Sequence, residues 1–274
     1  MTLPVVKGHA YGNDFLLVPL EAAKALSGRL KAAPTIPTLA RALCHRHTGI
    51  GADGLLLYEL LDGGATMALV NADGSPSELS GNGLRCLAAL VVRRQNLQPR
   101  AIITVSTDAG IKTLELLARE GERCTFRAAL GQPADVRQVQ IPVLDEVVTA
   151  SVLAVGNPQC VVLGPLPDID RFNRLGPALS THTMFPAGTN VEFAEVEAPA
   201  RVRIMIWERG VGPTTSSGTG TAASAVAAAA HGGALRDVDV VAPGGTQRVE
   251  WREDGIYLTG WAELVMEGNW LPAS

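Results

Sequence analysis

Ser80-Gly81-Asn82-Gly83 opens an alanine-rich apolar run, and Ser217-Gly218-Thr219-Gly220 opens a second such run half a chain length further on. The agreement extends backwards along the chain, because Asn71 and Glu208 each lie nine residues before their serine. Two matched motifs with matched surroundings indicate a duplicated chain that holds two copies of one fold. If the copies face each other, the two serine loops line one cleft from opposite sides.

The two apolar runs predict how each copy is built. Leu84–Val92 is apolar on almost every face of a helix and Ala222–Ala230 on all faces, whereas a surface helix keeps a polar stripe. Such helices must be enclosed, and strand-like runs recur in the same order around both. We therefore expect an α+β fold in which a sheet curls around a central helix once per half. A candidate linker at Gly131–Pro133 separates the halves 1–130 and 131–274.

Each half is predicted to begin with two strands joined by a short turn. In the first half, Leu3–Val6 and Phe15–Leu20 flank a Gly12-Asn13-Asp14 turn. The second half repeats the pattern with Val147–Val155 and Cys160–Leu163 around Gly156-Asn157-Pro158. The same order of elements in both halves supports the duplication.

The composition is typical of a globular protein of one large or two ordinary domains, with 274 residues, 47% hydrophobic and 18% charged, and a formal net charge of −4. No basic run exceeds Arg93-Arg94, and 4% aromatic residues leave no stacking platform for nucleic acid. The stretch Met1–Phe15 lacks the features of a signal peptide, and Ala222–Ala230 is too short to span a bilayer. We expect a cytoplasmic protein that binds neither nucleic acid nor membranes.

The cysteine and histidine residues predict no metal centre. Four cysteines lie far apart with no Cys-x-x-Cys pair, which is typical of buried thiols rather than of a zinc site or a disulfide framework. His45 and His47 flank Arg46 beside Cys44, but no second cluster completes a coordination shell.

The Ser-Gly-x-Gly motifs also carry a chemical prediction. Glycines let the backbone turn sharply and expose N–H groups, and a helix N-terminus attracts anions. Two such ends at one cleft would hold a carboxylate and stabilise negative charge that develops beside it. Serine is equally a favoured helix N-cap, so capping explains each motif taken alone. The matched positions of Ser80 and Ser217 favour a shared site.

The chain resembles the diaminopimelate epimerase family over essentially its whole length. The resemblance rests on motifs in that family's order: Gly8–Phe15, Arg46–Gly54, Asn71–Ser75, Gly81–Cys86, Gly156-Asn157-Pro158, Asn190, Glu208–Gly212 and Gly218-Thr219-Gly220. It implies two mirrored halves, each a barrel-like, mainly antiparallel sheet around a central helix, with the C-terminal tail 263–274 packing on the first half. It also implies inversion of one α-carbon, between LL- and meso-diaminopimelate, without any cofactor, in a protein that often pairs as a homodimer.

The resemblance further implies which residues bind this small amino-acid substrate. They are mostly amides and helix-mouth residues: Asn13, Asn71, Gly81, Asn82, Asn157, Asn190, Arg209, Gly218 and Thr219. Amide side chains both donate and accept hydrogen bonds, and Arg209 can grip a distal carboxylate with two parallel bonds. For Asn13 and Asn157 an alternative stays open, because asparagine in a turn also satisfies left-handed backbone geometry.

The chain departs from the family at the catalytic positions. The two family cysteines that exchange the α-proton fall on Ser80 and Ser217, and the assisting histidine falls on Gln159, while the assisting Glu208 is kept. A hydroxyl ionises far less readily than a thiol, so we expect either serine to be a poor proton acceptor without an adjacent base. Cys86 lies six residues beyond Ser80, on another face of the predicted helix, and Cys160 is expected in a strand.

Three explanations of the serines remain open. In the first, the serines were introduced into an epimerase to trap substrate, which leaves Gln159 unexplained. In the second, the chain is a diverged isomerase or eliminating enzyme on another small carboxylic acid. In the third, it is a non-catalytic binding protein.

Two other enzyme classes fit the sequence poorly. Gly49–Gly54 fits the dinucleotide pattern Gly-x-Gly-x-x-Gly, but it follows a predicted helix and opens a strand, the reverse of the required order. A serine hydrolase is disfavoured because no Gly-x-Ser-x-Gly elbow occurs.

Overall fold

The structure is a computed structural model that describes residues 2–27, 35–77 and 80–271. The chain divides into two compact units, residues 1–128 with 261–274 and residues 129–260, and each has hydrophobic clusters of its own. Of the predicted tail 263–274, residues 272–274 lie outside the described part.

The first unit is built on a closed ring of eight strands. Its elements are β1 (Leu3–Ala10), β2 (Asn13–Pro19), α1 (Leu20–Ser27), α2 (Ile36–Cys44), β3 (Gly54–Leu61), β4 (Gly64–Asn71), β5 (Pro76–Ser77), α3 (Gly81–Gln95), β6 (Ile102–Thr107), β7 (Gly110–Glu120) and β8 (Arg123–Gly131). Pairing runs β1, β2, β3, β4, β6, β7, β8 and returns to β1 through the end of the chain's last strand.

Helix α3 lies inside this ring because its sequence leaves it no polar face. Eleven consecutive residues, Asn82–Val92, are buried, and the apolar ones among them pack against the inward side chains of β1 to β4 and β6. The helix ends at Asn96, which adopts the left-handed conformation (φ 50°) and donates its N–H to the Val92 carbonyl. Helices α1 and α2 cover the outer face of the sheet, where Leu39 and Leu43 are buried.

The second unit repeats the plan around another helix. Its elements are β9 (Ala134–Val143), β10 (Glu146–Ala154), β11 (Pro158–Leu163), α4 (Ile169–Ser180), β12 (Asn190–Ala198), β13 (Arg201–Glu208), β14 (Gly212–Thr214), α5 (Gly218–His231), β15 (Asp237–Ala242), β16 (Gly245–Arg252) and β17 (Gly255–Trp270). Successive pairings join β9, β10, β11, β12, β13, β15, β16 and β17. Helix α5 contacts β10 to β13, β15 and β16. The C-terminal part of β17 pairs with β1, from Leu3 opposite Trp270 to His9 opposite Glu263.

The predicted fold class is confirmed, with corrections to individual elements. The first turn lies at Tyr11 and Gly12, which take positive φ angles of 56° and 88°, and Asn13 already begins β2. The sequence reasoning also missed α1 and β9. Strand β9 was missed although apolar and polar residues alternate along it, because the alternation slips at Arg137-Gln138 and Pro142 lies inside the run.

Candidate active site

Ser80 and the first turn of α3 form a partly exposed helix mouth in the first unit, called here the Ser80 mouth (residues 80–83). Ser80 has extended backbone angles (φ −128°, ψ 123°), and its Oγ accepts a hydrogen bond from the Gly83 N–H at 3.1 Å. The serine therefore caps the helix, as the capping alternative predicted. The N-terminal turn of a helix carries a partial positive charge, which favours anions at this end.

A chain of side-chain hydrogen bonds supports this mouth. Buried Arg85 donates to Asn82 Oδ1 (2.5 Å), Asn82 Nδ2 donates to Asn13 Oδ1 (3.1 Å), and Asn13 Nδ2 donates to Asp53 Oδ2 (2.7 Å). Burial lowers the pKa of Arg85. Two predicted binding residues, Asn13 and Asn82, are thus held by direct contact with each other. Asn71, at the end of β4, is oriented separately by its bond to Ser75 Oγ (3.0 Å).

Asp53 is fixed in turn by a group of charges. Arg46 bonds Asp53 Oδ1 (2.7 Å) and both oxygens of Asp14, and Lys7 lies 2.9 Å from Asp14. Burial would raise the pKa of Asp14, but the hydrogen bonds from Arg46 and Lys7 outweigh burial and lower it. Asp14 therefore stays ionised and anchors the loop that carries Asn13.

Ser217 and the first turn of α5 form the corresponding Ser217 mouth (residues 217–220) in the second unit. Ser217 has φ −139° and ψ 129°, and its Oγ accepts from the Gly220 N–H at 3.1 Å. The geometry repeats that of Ser80 closely, so capping is confirmed here as well. Gly218 and Thr219 are half-buried at the same mouth.

The predicted binding residues of the second unit lie at the ends of neighbouring strands. Gln159 Nε2 donates to Asn157 Oδ1 (2.6 Å), and strand pairing sets Gln159 opposite Asn190. Asn190 Oδ1 accepts the Arg209 N–H (2.9 Å), and Arg209 Nη1 donates to the Ala187 carbonyl (2.9 Å). The left-handed alternative for Asn13 and Asn157 is wrong, because the positive φ angles beside them belong to Tyr11, Gly12 and Gly156.

Glu192 is a functional candidate that the sequence reasoning missed. It lies on β12 with 0% of its surface exposed, and neither carboxyl oxygen has a hydrogen-bond partner among the described residues. Burial, reinforced by the charge of Glu208, raises its pKa well above the ordinary value. A charged residue inside the apolar stretch Val191–Ala194 was the available signal.

The cysteines do not replace the missing thiols. All four are buried, and burial raises the pKa of Cys86 and of Cys160 to about 12. Neither thiol can supply thiolate near neutral pH. Within the described ranges, no group of three or more His, Cys, Asp or Glu side chains could hold a metal ion. No helix in that part of the chain is long and apolar enough to cross a membrane.

The sequence that forms the two helix mouths and their surroundings matches known proteins along most of its length. The family model described as diaminopimelate epimerase matches residues 5–134 and 151–265. The chain belongs to the diaminopimelate epimerase family. A diaminopimelate epimerase of Desulforudis audaxviator is 41% identical over 97% of this chain and 99% of its own length. One of Desulfitobacterium hafniense is 38% identical over 97% of both chains.

The fold of this diaminopimelate epimerase family member also matches solved structures of low sequence identity. A hydroxyproline epimerase from Agrobacterium vitis, with bound trans-4-hydroxy-L-proline, superposes with a TM-score of 0.70 at 15% identity, over 98% of this chain and 92% of that one. At this identity the match shows the fold alone.

Proposed function

We propose that this protein is a cofactor-independent amino-acid epimerase that interconverts LL- and meso-diaminopimelate by moving the α-proton between two faces of one carbon. The observation that carries the proposal is the matched pair of serine-capped helix mouths in a chain that belongs to the diaminopimelate epimerase family. Each mouth is the N-terminus of a helix, whose partial positive charge stabilises the negative charge that develops as the proton leaves.

The remaining residues have distinct roles in this proposal. Ser80 and Ser217 stand at the two proton-transfer positions. Glu208, which matches the family's assisting glutamate, is the titratable residue that assists them. Arg209 binds the distal carboxylate, and the asparagines bind the amino groups and carboxylates of the substrate. Gln159 holds Asn157 in place but cannot titrate. Since a hydroxyl is a poor base, we expect inversion to be much slower than with a cysteine pair.

The test follows the α-hydrogen directly. LL-diaminopimelate is incubated with the protein in heavy water, and α-deuterium and meso product are measured by mass spectrometry and chiral separation. We expect the Ser80→Cys plus Ser217→Cys variant to take up deuterium at least about 100-fold faster than the native chain, as is typical of general acid–base groups. Ser80→Ala plus Ser217→Ala serves as the control. Absence of uptake in the cysteine variant would exclude diaminopimelate as the substrate.

A second candidate function is isomerisation or elimination on another small carboxylic acid. The observation that favours it is the joint replacement at Ser80, Ser217 and Gln159, since all three changes remove titratable groups from the family's catalytic positions. Deuterium uptake into a panel of small carboxylic acids, but not into diaminopimelate, would support it. Loss of chemistry altogether, with retained binding in calorimetry, would instead indicate a binding protein.

Assembly and location belong to the proposal as well. We infer a homodimer, from the resemblance to a family whose members often pair, and we place it in the cytoplasm. Light scattering coupled to size-exclusion chromatography measures the first inference, and a mass of one chain (28.7 kDa) would contradict it.

A further inference from the structure

The two units differ at one inward-facing position beside the helix mouth. Along β12, Val191 and Phe193 pack against α4, whereas Ala194 packs with the residues of α5. Since side chains alternate across a strand, Glu192 lies on the same face as Ala194, toward α5. A carboxyl group is therefore placed inside the unit, against the first turn of the central helix.

The distances place this carboxyl beside the Ser217 hydroxyl. A Cβ atom built on Gly220 would lie 2.4 Å from Glu192 Oε1 and 3.2 Å from Ser217 Oγ. Both oxygens thus border the same small space, which is open because Gly220 has no side chain. The two oxygens are not hydrogen-bonded to each other in this structure, so the proton passes between them after the Glu192 side chain turns toward Ser217 or through one bridging water. Ser217 Oγ already accepts the Gly220 N–H, so its own proton is available to a second acceptor.

The first unit lacks this arrangement. A Cβ built on Gly83 would meet Phe15 Cε1 at 3.4 Å, Ser80 Cβ at 3.4 Å and Leu56 Cδ1 at 3.5 Å. Leu56 therefore occupies the place that Glu192 holds in the second unit. A buried carboxyl without partners costs stability, and the duplicate shows that an apolar side chain fills the same position.

We propose that Glu192 is the proton-accepting partner of Ser217, so that the Ser217 hydroxyl and the Glu192 carboxylate together act as the base that the single hydroxyl cannot be. The Cα–H bond of the substrate breaks, and its proton passes to Ser217 Oγ while the hydroxyl proton of Ser217 passes to a carboxylate oxygen of Glu192. The electron pair stays on the substrate, delocalised into its carboxylate. Reversal of both transfers returns a proton to the carbon. This role rests on the proposed function, which assigns proton transfer to Ser217 and names the substrate.

The surroundings of Glu192 suit such a relay. The negative charge of Glu208 on β13 adds to the effect of burial and raises the pKa of Glu192. Glu192 in turn helps to raise the pKa of the Cys160 thiol on β11. Burial raises the pKa of Glu192 well above its ordinary value. Because the relay needs the carboxylate form, the exchange rate rises with pH through this raised pKa.

The first experiment needs no substrate. Ser217→Cys puts a thiol at the mouth, and its alkylation by iodoacetamide is followed against pH, with the four native cysteines buried. Adding Glu192→Gln should lower the midpoint of alkylation by about one pH unit or more, since an adjacent carboxylate disfavours thiolate. The same change on the same strand, Glu195→Gln, should leave the midpoint in place. An equal midpoint with and without Glu192 overturns the proposal.

The second experiment separates a chemical role from a structural one. In the native serine background, Glu192→Gln should reduce α-deuterium uptake into LL-diaminopimelate by about 100-fold or more and remove the acidic limb of the pH profile. With Ser80→Cys and Ser217→Cys, the same substitution should cost less than about 10-fold, because a thiol needs no relay. Equal losses in both backgrounds contradict the relay. If neither background exchanges, the proposed substrate fails, and the alkylation midpoint still decides the role of Glu192.

Discussion

Replacing Glu192 by leucine should stabilise the second unit. The substitution copies the first unit, where Leu56 fills the equivalent place beside Gly83. Glu192 is fully buried, and both of its oxygens lack hydrogen-bond partners within the described ranges, so the native chain bears the desolvation cost of a carboxyl group with no compensating bonds.

The size of this stabilisation follows from the cost of burying an unpaired carboxyl group. A buried polar group without a partner costs about 1–3 kcal/mol, and an apolar side chain of similar length removes the cost. We expect Glu192→Leu to raise the free energy of unfolding by about 1–3 kcal/mol near neutral pH. At roughly 2–4 °C per kcal/mol for a chain of this size, the melting temperature should rise by about 2–12 °C.

The gain should depend on pH with a definite sign. Burial holds the pKa of Glu192 above its value in the unfolded chain, so the folded protein binds the proton more tightly. Native stability is therefore greatest below the unfolded pKa and is lost as pH rises through the folded one. Leucine does not titrate, so the stability difference should be larger at about pH 8 than at about pH 5.

Thermal and urea unfolding followed by circular dichroism at both pH values measure this difference. Glu195→Leu on the same strand is the matched control, because Glu195 is half-buried and its carboxylate accepts a hydrogen bond from the Leu166 N–H. It should show no comparable gain. A Glu192→Leu protein that is less stable than the native chain, or whose gain is the same at both pH values, would refute the assignment of a buried, unpaired acid.

Four further predictions concern the mouths and the thiols. In the cysteine-pair variant, Arg209→Ala should raise KM for diaminopimelate by about 10-fold or more with a smaller change in kcat. Equal KM values with and without Arg209 would show that this residue does not bind the substrate. Gly220→Ala should displace the Glu192 carboxyl, 2.4 Å from the new Cβ, and lower deuterium uptake, whereas Gly83→Ala, with its nearest neighbours at 3.4 Å, should be tolerated better. Asn82→Ala removes the hydrogen bonds to Asn13 and to buried Arg85 and should lower the free energy of unfolding by about 1–3 kcal/mol in urea titrations. Ellman's reagent should label none of the four cysteines until the protein unfolds, since all are buried and each has a pKa raised to about 11 or 12.

The fold could be predicted because apolar pattern and burial are directly linked. A helix such as Ala222–Ala230, apolar on all faces, has to be enclosed, and the structure shows it within the sheet of its unit. The serine motifs likewise marked the helix starts, since serine is a favoured N-cap and both serines cap their helices in the structure. By contrast the alternation of β9 is broken at Arg137-Gln138, and Pro142 lies inside the run, so the local pattern does not predict a continuous strand.

The candidate site was harder to predict than the fold. Motif spacing placed Ser80 and Ser217 at helix starts, but it gave no sign that Asn82 and Asn13 bond each other across distant parts of the sequence. Glu192 was missed for a different reason. A single glutamate in a strand is normally exposed, so its place in an apolar stretch is a weak signal, and the packing of its neighbours on opposite faces shows that it points inward.

The difference between Glu192 and Leu56 bears on what two serines can do. A reaction on two faces of a carbon needs a proton acceptor on one side and a donor on the other, and a lone hydroxyl performs both tasks poorly. With a carboxyl beside Ser217 and leucine beside Ser80, the two mouths are no longer chemically equivalent. Proton removal and return through Ser217 should therefore be faster than delivery from Ser80. On this reasoning the native chain exchanges the α-hydrogen for deuterium with retention of configuration more often than it inverts the carbon.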